Sequence, residues 1–314
     1  MNPLTHFRKI RILGNIFLSL SAIFALVTAA HAQNLYVSAN RLPALGGHAI
    51  LQFTPSGLES TYATGLENPR GLAFDDLGNL FAAEILNRDD HVIGRALKFN
   101  LRNHRNTFGS VAKFDFVGLA TDTAGNVYVM ATDDNSPVGA GTIFKFTPDG
   151  DRIVFGSVPG TTGDNLLQAN EGLAFDSAGY LYAADSGAQT IYKFAPDGTR
   201  TVFAEPSAFA PGAYPFGLTF DSTGNLFVST VCFAPFFCDP GSDTILTFTP
   251  SGIESTFATG LTNPRGLAFD DSGYLFVAEA NAPGNILKFF PDGTHTVFAT
   301  VIGRPQFLTF GPPR

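Results

Sequence analysis

The side chains best placed for chemistry stand at two fixed positions of a repeated phrase. Arg70, Glu171 and Arg265 each precede a glycine that opens a Gly-Leu-Ala-Phe-Asp segment, at Gly71, Gly172 and Gly266. Glu84, Asp185 and Glu279 follow those same glycines by 13 residues (84 − 71, 185 − 172, 279 − 266). A charged pair supplied by every second repeat could line a pocket for a polar ligand, or its carboxylates could hold a divalent cation such as calcium or zinc. In the plainer reading the three acids bond loop backbone and offset the arginines. His48 and His91 offer a second possibility, His91 lying beside Asp89 and Asp90. Imidazole with carboxylate can ligate a metal or move protons, although loop histidines are more often ordinary surface residues. The chain has no Gly-x-Ser-x-Gly elbow, phosphate loop or paired-cysteine zinc motif.

Two further groups lie close together. Phe209, Tyr214, Phe216, Phe233, Phe236 and Phe237 cluster within one short stretch. Exposed, they would mark a site for an apolar or sugar ligand or a partner; packed on one another, they would form a plug. Cys232 and Cys238, the only cysteines, are expected to pair after export, tying one small loop.

The whole chain limits the choices. Arg8, Lys9 and Arg11 precede an apolar run from Ile12 to Ala30 and the small-x-small site Ala30-His31-Ala32. Residues 1–32 therefore read as an export signal, and the protein as secreted or periplasmic with no membrane span after cleavage. Without them 16 Lys/Arg face 27 Asp/Glu, a net charge of 16 − 27 = −11. An acidic chain of this kind is a poor partner for nucleic acid. With 33 Gly, 20 Pro, 32 Phe and no Trp, the composition predicts many short strands joined by tight turns.

The elements that must position the charged residues are themselves repeated. Thr54–Glu84 and Thr249–Glu279 differ at only six of 31 aligned positions, at an offset of 195. Shorter echoes begin at Gly118, Gly172 and Gly217, so successive repeat glycines lie 47, 54, 45 and 49 residues apart. That period is one of a propeller blade. Within each unit an alternating strand A (Leu72, Phe74) meets an Asp75-Asp76-Leu77-Gly78 turn and an alternating strand B. A second hairpin follows, turning at Pro-Asp-Gly in most units, as at Pro196–Gly198. Aspartate bonds the turn's own backbone and glycine accepts its left-handed position, which makes the five turn aspartates (Asp75, Asp122, Asp176, Asp221, Asp270) structural. The unit from Phe99 to Phe108 lacks the Pro-Asp-Gly signal. Asn34–Val37 reads as a strand B without its A, and Phe307–Phe310 as a strand A without its B. Joined, they complete a sixth blade and remove the open edge. The expectation is an all-β, six-bladed β-propeller of four-stranded antiparallel blades spanning residues 33–314, closed by the C-terminal strand.

The pattern Asn-Pro-x-Gly-Leu-Ala-Phe-Asp-x-x-Gly-Asn-Leu-Phe-x-Ala-Glu/Asp resembles the NHL repeat, within the superfamily that includes SMP-30/gluconolactonase-like enzymes. Such lactonases carry cation ligands just before strand-A glycines. Only Glu171 matches, because the other positions hold Arg70, Val117, Phe216, Arg265 and Gln306. The resemblance thus implies a monomeric ligand- or protein-binding module, with a small polar or sugar ligand or a protein partner. A lactonase- or lyase-like enzyme with a divergent site is the alternative. Strand direction places the site on the face that carries the D–A and B–C connections, including long loops at Ile85–Arg95, Ser157–Glu171 and Val231–Asp243.

Overall fold

The computed structural model describes residues 33–41, 46–133, 140–159, 172–232 and 243–313. The export signal, Glu171, Phe233, Phe236, Phe237 and Cys238 lie outside the described residues. Six four-stranded antiparallel sheets are arranged as a β-propeller. Blade 1 joins the two ends of the chain. Its strand A (Arg304–Phe310) is C-terminal; strands B (Leu35–Asn40), C (Ala49–Phe53) and D (Glu59–Ala63) are N-terminal. Leu35 pairs with Phe310 and Val37 with Leu308. In blades 2 to 6 strand A spans Pro69–Phe74, Phe114–Thr121, Leu173–Phe175, Ala213–Phe220 and Pro264–Phe269. Strand B spans Leu80–Asn87, Val127–Asp133, Leu181–Asp185, Leu226–Cys232 and Leu275–Glu279. Each strand A touches the strand A of the next blade all round the ring, so these strands are innermost.

The turns follow the chemistry of their residues. Asp75 Oδ1 accepts from the Leu77 and Asn79 N–H groups at 3.0 and 2.8 Å, and Gly78 sits at φ +79°. Asp122, Asp176, Asp221 and Asp270 repeat this arrangement. In blade 2, where Pro-Asp-Gly is missing, Asn100 and Asn103 build an equivalent turn. Asn100 Oδ1 accepts from the Arg102 N–H at 2.9 Å and Asn103 adopts φ +58°, a conformation that asparagine tolerates better than most residues.

What joins one blade to the next is aromatic. The strand-B ring of a blade meets the strand-D ring of the same blade and the strand-A ring of the following one. Tyr36 meets Tyr62 and Phe74, both at 5.0 Å. Tyr128, Tyr182, Phe227 and Phe276 repeat the T-shaped triad with Phe155/Phe175, Phe203/Phe220, Phe257/Phe269 and Phe298/Phe310. Between blades 2 and 3 the strand-A position holds Thr121, whose hydroxyl instead donates to the Phe74 carbonyl at 2.7 Å. Edge-to-face pairs add about 0.5–1.5 kcal/mol each beyond their buried area. The core is accordingly divided among the blade interfaces, as where Phe276 and Ile286 of blade 6 pack with Leu35 and Leu51 of blade 1.

One connection departs from expectation. Ile85–Arg95 is not a loop: strand B of blade 2 runs on to Asn87 and strand C (Val92–Phe99) begins at Val92, with Ile85 opposite Gly94. The apolar alternation simply continues past the point where the repeat ends.

Candidate functional site

The residues before the strand-A glycines sit on β-bulges. Pro69 pairs with Glu84 and Leu72 with Ala82, so Arg70 and Gly71 together oppose Ala83. The same two-against-one arrangement occurs at Val117-Gly118, Phe216-Gly217, Arg265-Gly266 and Gln306-Phe307. A bulge re-aims its side chain, and here it does so at the same position of strand A in five of the six blades. The glycines also allow neighbouring inner strands to meet. A Cβ on Gly217 would lie 2.0 Å from the Arg265 carbonyl oxygen, and one on Gly71 would lie 2.6 Å from the Leu119 nitrogen. In blade 5 Ser229 stands opposite the bulge. Its hydroxyl accepts from the Gly217 N–H at 2.8 Å and donates to the Arg265 carbonyl at 2.7 Å, linking two inner strands. In blade 1 the Ser38 hydroxyl accepts from the Phe307 N–H at 3.1 Å.

Two guanidinium groups belong to this ring, on the blades flanking blade 1. Arg70 Nη1 donates to Gln306 Oε1 at 3.1 Å. Arg265 lies over the Phe216 ring, 4.6 Å from its centroid, and its Nε donates to Asn263 Oδ1 at 3.2 Å. Both arginines are half-buried, whereas Gln306, Phe216 and Val117 are buried.

The strand-B acids are brought to the ends of their strands and held there by other groups. Glu84 is fully buried, ion-paired with Arg95 directly opposite on strand C, and accepts from the Glu67 N–H at 3.2 Å. Glu279 accepts from the Thr262 N–H at 2.9 Å and from Asn285 Nδ2 at 3.4 Å. Asp185, also fully buried, accepts from the Ala188 N–H at 2.9 Å. The acids therefore bind loop backbone. Glu84 is offset by Arg95 and not by Arg70, a partner that lies outside the repeated phrase and that only the strand register reveals.

The aromatic cluster divides. Phe209 is buried, 6.1 Å from Phe248, and Phe216 is fully buried beneath Arg265. Neither contributes to an exposed patch. Tyr214, on strand A of blade 5, is half-buried. Cys232 is disulfide-bonded. His91 stands beside the tip of the blade 2 hairpin, its Nδ1 2.6 Å from Asp90 Oδ1, and that contact holds the Asp90 carboxyl below its ordinary value. His48 lines a different feature, a cleft formed by blades 1 and 6. Among the described residues no group of three His, Cys, Asp or Glu could hold a metal ion. The described bulge positions do not suit a cation either: guanidinium groups occupy two of them and apolar side chains two more. Among the described residues the donor set thus disagrees with the cation site that the resemblance to lactonases implies.

No protein-family model matches the chain, and no curated protein sequence matches it significantly. Solved structures share its fold. A Bacteroides caccae protein of unknown function is 12% identical, with a TM-score of 0.60, covering 89% of this chain and 99% of that one. A gluconolactonase from Xanthomonas campestris is 16% identical, with a TM-score of 0.57, covering 87% and 89%. A catalytically inactive virginiamycin B lyase from Staphylococcus aureus, crystallised with quinupristin, is 18% identical, with a TM-score of 0.51, covering 76% and 73%. The chain is a six-bladed β-propeller with lactonase-like and lyase-like structural neighbours.

Proposed function

We propose that this protein acts on a small carbonyl compound, a lactone or ester, at a channel mouth lined by the bulge residues of the inner strands, in the manner of a lactonase- or lyase-like propeller. The observation that carries this reading is the pair Arg70 and Arg265. Each stands on a bulge beside the seam blade and is oriented by a neighbouring side chain, Gln306 or Phe216. Preorganised donors of this kind stabilise charge that develops on a carbonyl oxygen. The fold neighbours include a gluconolactonase and a lyase acting on small molecules. Glu171, at the equivalent position of blade 4, is the carboxylate nearest the required chemistry by sequence. Purified protein assayed on a panel of lactones and esters, with and without a chelator, tests the reading. Turnover that falls in Arg70→Ala and Arg265→Ala supports it, and a protein inert across the panel overturns it.

A second reading is a monomeric binding module of NHL type without its own chemistry, taking a sugar-like ligand or a protein on its long-loop face. It is favoured by Glu84, Asp185 and Glu279, which are engaged in holding loops. In either case we read residues 1–32 as an export signal and the protein as secreted or periplasmic.

A further inference from the structure

The cleft between blades 1 and 6 has the chemistry of a binding site distinct from the channel mouth. It measures about 790 Å³ and is lined by Asn40, Arg41, His48, Ala282, Pro283, Ile302, Gly303 and Arg304. Pockets for small ligands span roughly 300–1,000 Å³, apolar in the main with a few convergent polar groups. Here the apolar part is Ala282, Pro283 and Ile302, and Ile302 is 60% exposed although large and hydrophobic. The polar part is unsatisfied. Arg41 Nη2 reaches Glu59 at 2.6 Å, but its Nε is buried with no partner among the described residues, as are His48 Nδ1 and Asn40 Oδ1. These three atoms are closed off from solvent, so the polar group open to a ligand in the cleft is the exposed Arg304. Among the described residues Arg304 makes no ion pair and no carboxylate lines the cleft. The chain as a whole carries a net charge of −8. With Arg41 offset by Glu59, the guanidinium of Arg304 is the uncompensated charge on the cleft wall, and it selects an anion.

We propose that this cleft binds a small organic carboxylate with an apolar body: the carboxylate toward Arg304, the hydrocarbon against Ile302 and Pro283. The site does not depend on the carbonyl chemistry proposed for the mouth. A ligand-observed NMR titration of the full protein with hexanoate, hexanol and acetate tests it. Hexanoate is expected to bind saturably at one site, with hexanol and acetate each weaker by about tenfold, the size of one charge-assisted hydrogen bond or a few buried methylenes. Arg304→Gln and Ile302→Glu, both at exposed positions, should weaken hexanoate by at least that factor with unchanged circular dichroism. Arg70→Ala should leave it unaltered, which separates this site from the mouth. Absence of saturable hexanoate binding, equal affinity for hexanol, or wild-type affinity in both cleft variants would overturn the proposal.

Discussion

Arg70 and Gln306 meet at 3.1 Å across 236 positions of chain. The contact ties blade 2 to the strand that closes the ring, and it fixes a guanidinium group in the ring of bulge residues. Arg70→Ala is expected to reduce turnover on a responsive lactone or ester by about a hundredfold, the usual effect of removing one charge-stabilising donor. The melting temperature should move by less than about 4 °C, because the residue is half-buried and outside the aromatic triads that join the blades. Steady-state kinetics and thermal melting of the same preparation check both halves.

Glu84 and Arg95 form the most buried ion pair described. Arg95→Ala leaves a carboxylate uncompensated in a fully buried position, at a cost of about 3–5 kcal/mol. Adding Glu84→Gln to that variant removes the stranded charge and should recover part of the loss. Urea unfolding midpoints of the two single variants and the double variant measure the coupling.

Phe276 stands between Phe298 and Phe310, 5.0 Å from each. Phe276→Ala should destabilise by about 3–5 kcal/mol through lost burial and the cavity left at the seam. Leu58→Ala, at a side chain 69% exposed, should stay within about 0.5 kcal/mol of wild type. Chemical denaturation of both distinguishes interface packing from a general loss of apolar residues.

Gly217→Ala introduces a methyl group 2.0 Å from the Arg265 carbonyl. Neither inner strand can yield without disturbing the ring, so a cost of at least about 1–3 kcal/mol is expected. Gly150 is also replaced by alanine as a comparison; its Cβ would meet nothing within 4 Å, but its φ of +94° adds backbone strain instead of a clash. Crystal structures of the variants would show a shifted inner strand only for Gly217→Ala.

Two turn aspartates set an acid limit. The Thr294 side chain, with its backbone N–H, holds Asp292 below its ordinary carboxyl value, and the Thr199 backbone N–H, with its side chain, does the same for Asp197. A lowered folded pKa means that the native state binds fewer protons. The stability these groups contribute is therefore present above the unfolded value of 3.8 and is lost as pH falls through the lower folded values. Thermal melts from about pH 6 down to about pH 2.5 should show a shallower decline in Asp197→Asn/Asp292→Asn, which keeps an acceptor but cannot titrate.

The blade was legible in the chain because its rules are local. An Asp-x-x-Gly turn needs only neighbours to satisfy it, alternation needs only a strand, and two orphan half-blades at the ends can be completed only by each other. Asn103 shows where local reading ran short: the turn survived without Pro-Asp-Gly because asparagine also accepts a left-handed backbone. The bulges were not legible, since nothing in Asn-Pro-Arg-Gly announces that two residues will oppose one. They depend on the register between strands A and B.

Residue types and their period determined a closed ring of six blades, the turn aspartates, and which side chains stand before the inner glycines. Only the tertiary structure decided that Glu84 belongs to Arg95, that Phe216 lies under Arg265, and that His48 shares a cleft with Arg304 and not with His91. The physical reason is distance along the chain. A repeat specifies contacts within one blade, but each of these pairings depends on which residues the register or the closed ring brings face to face.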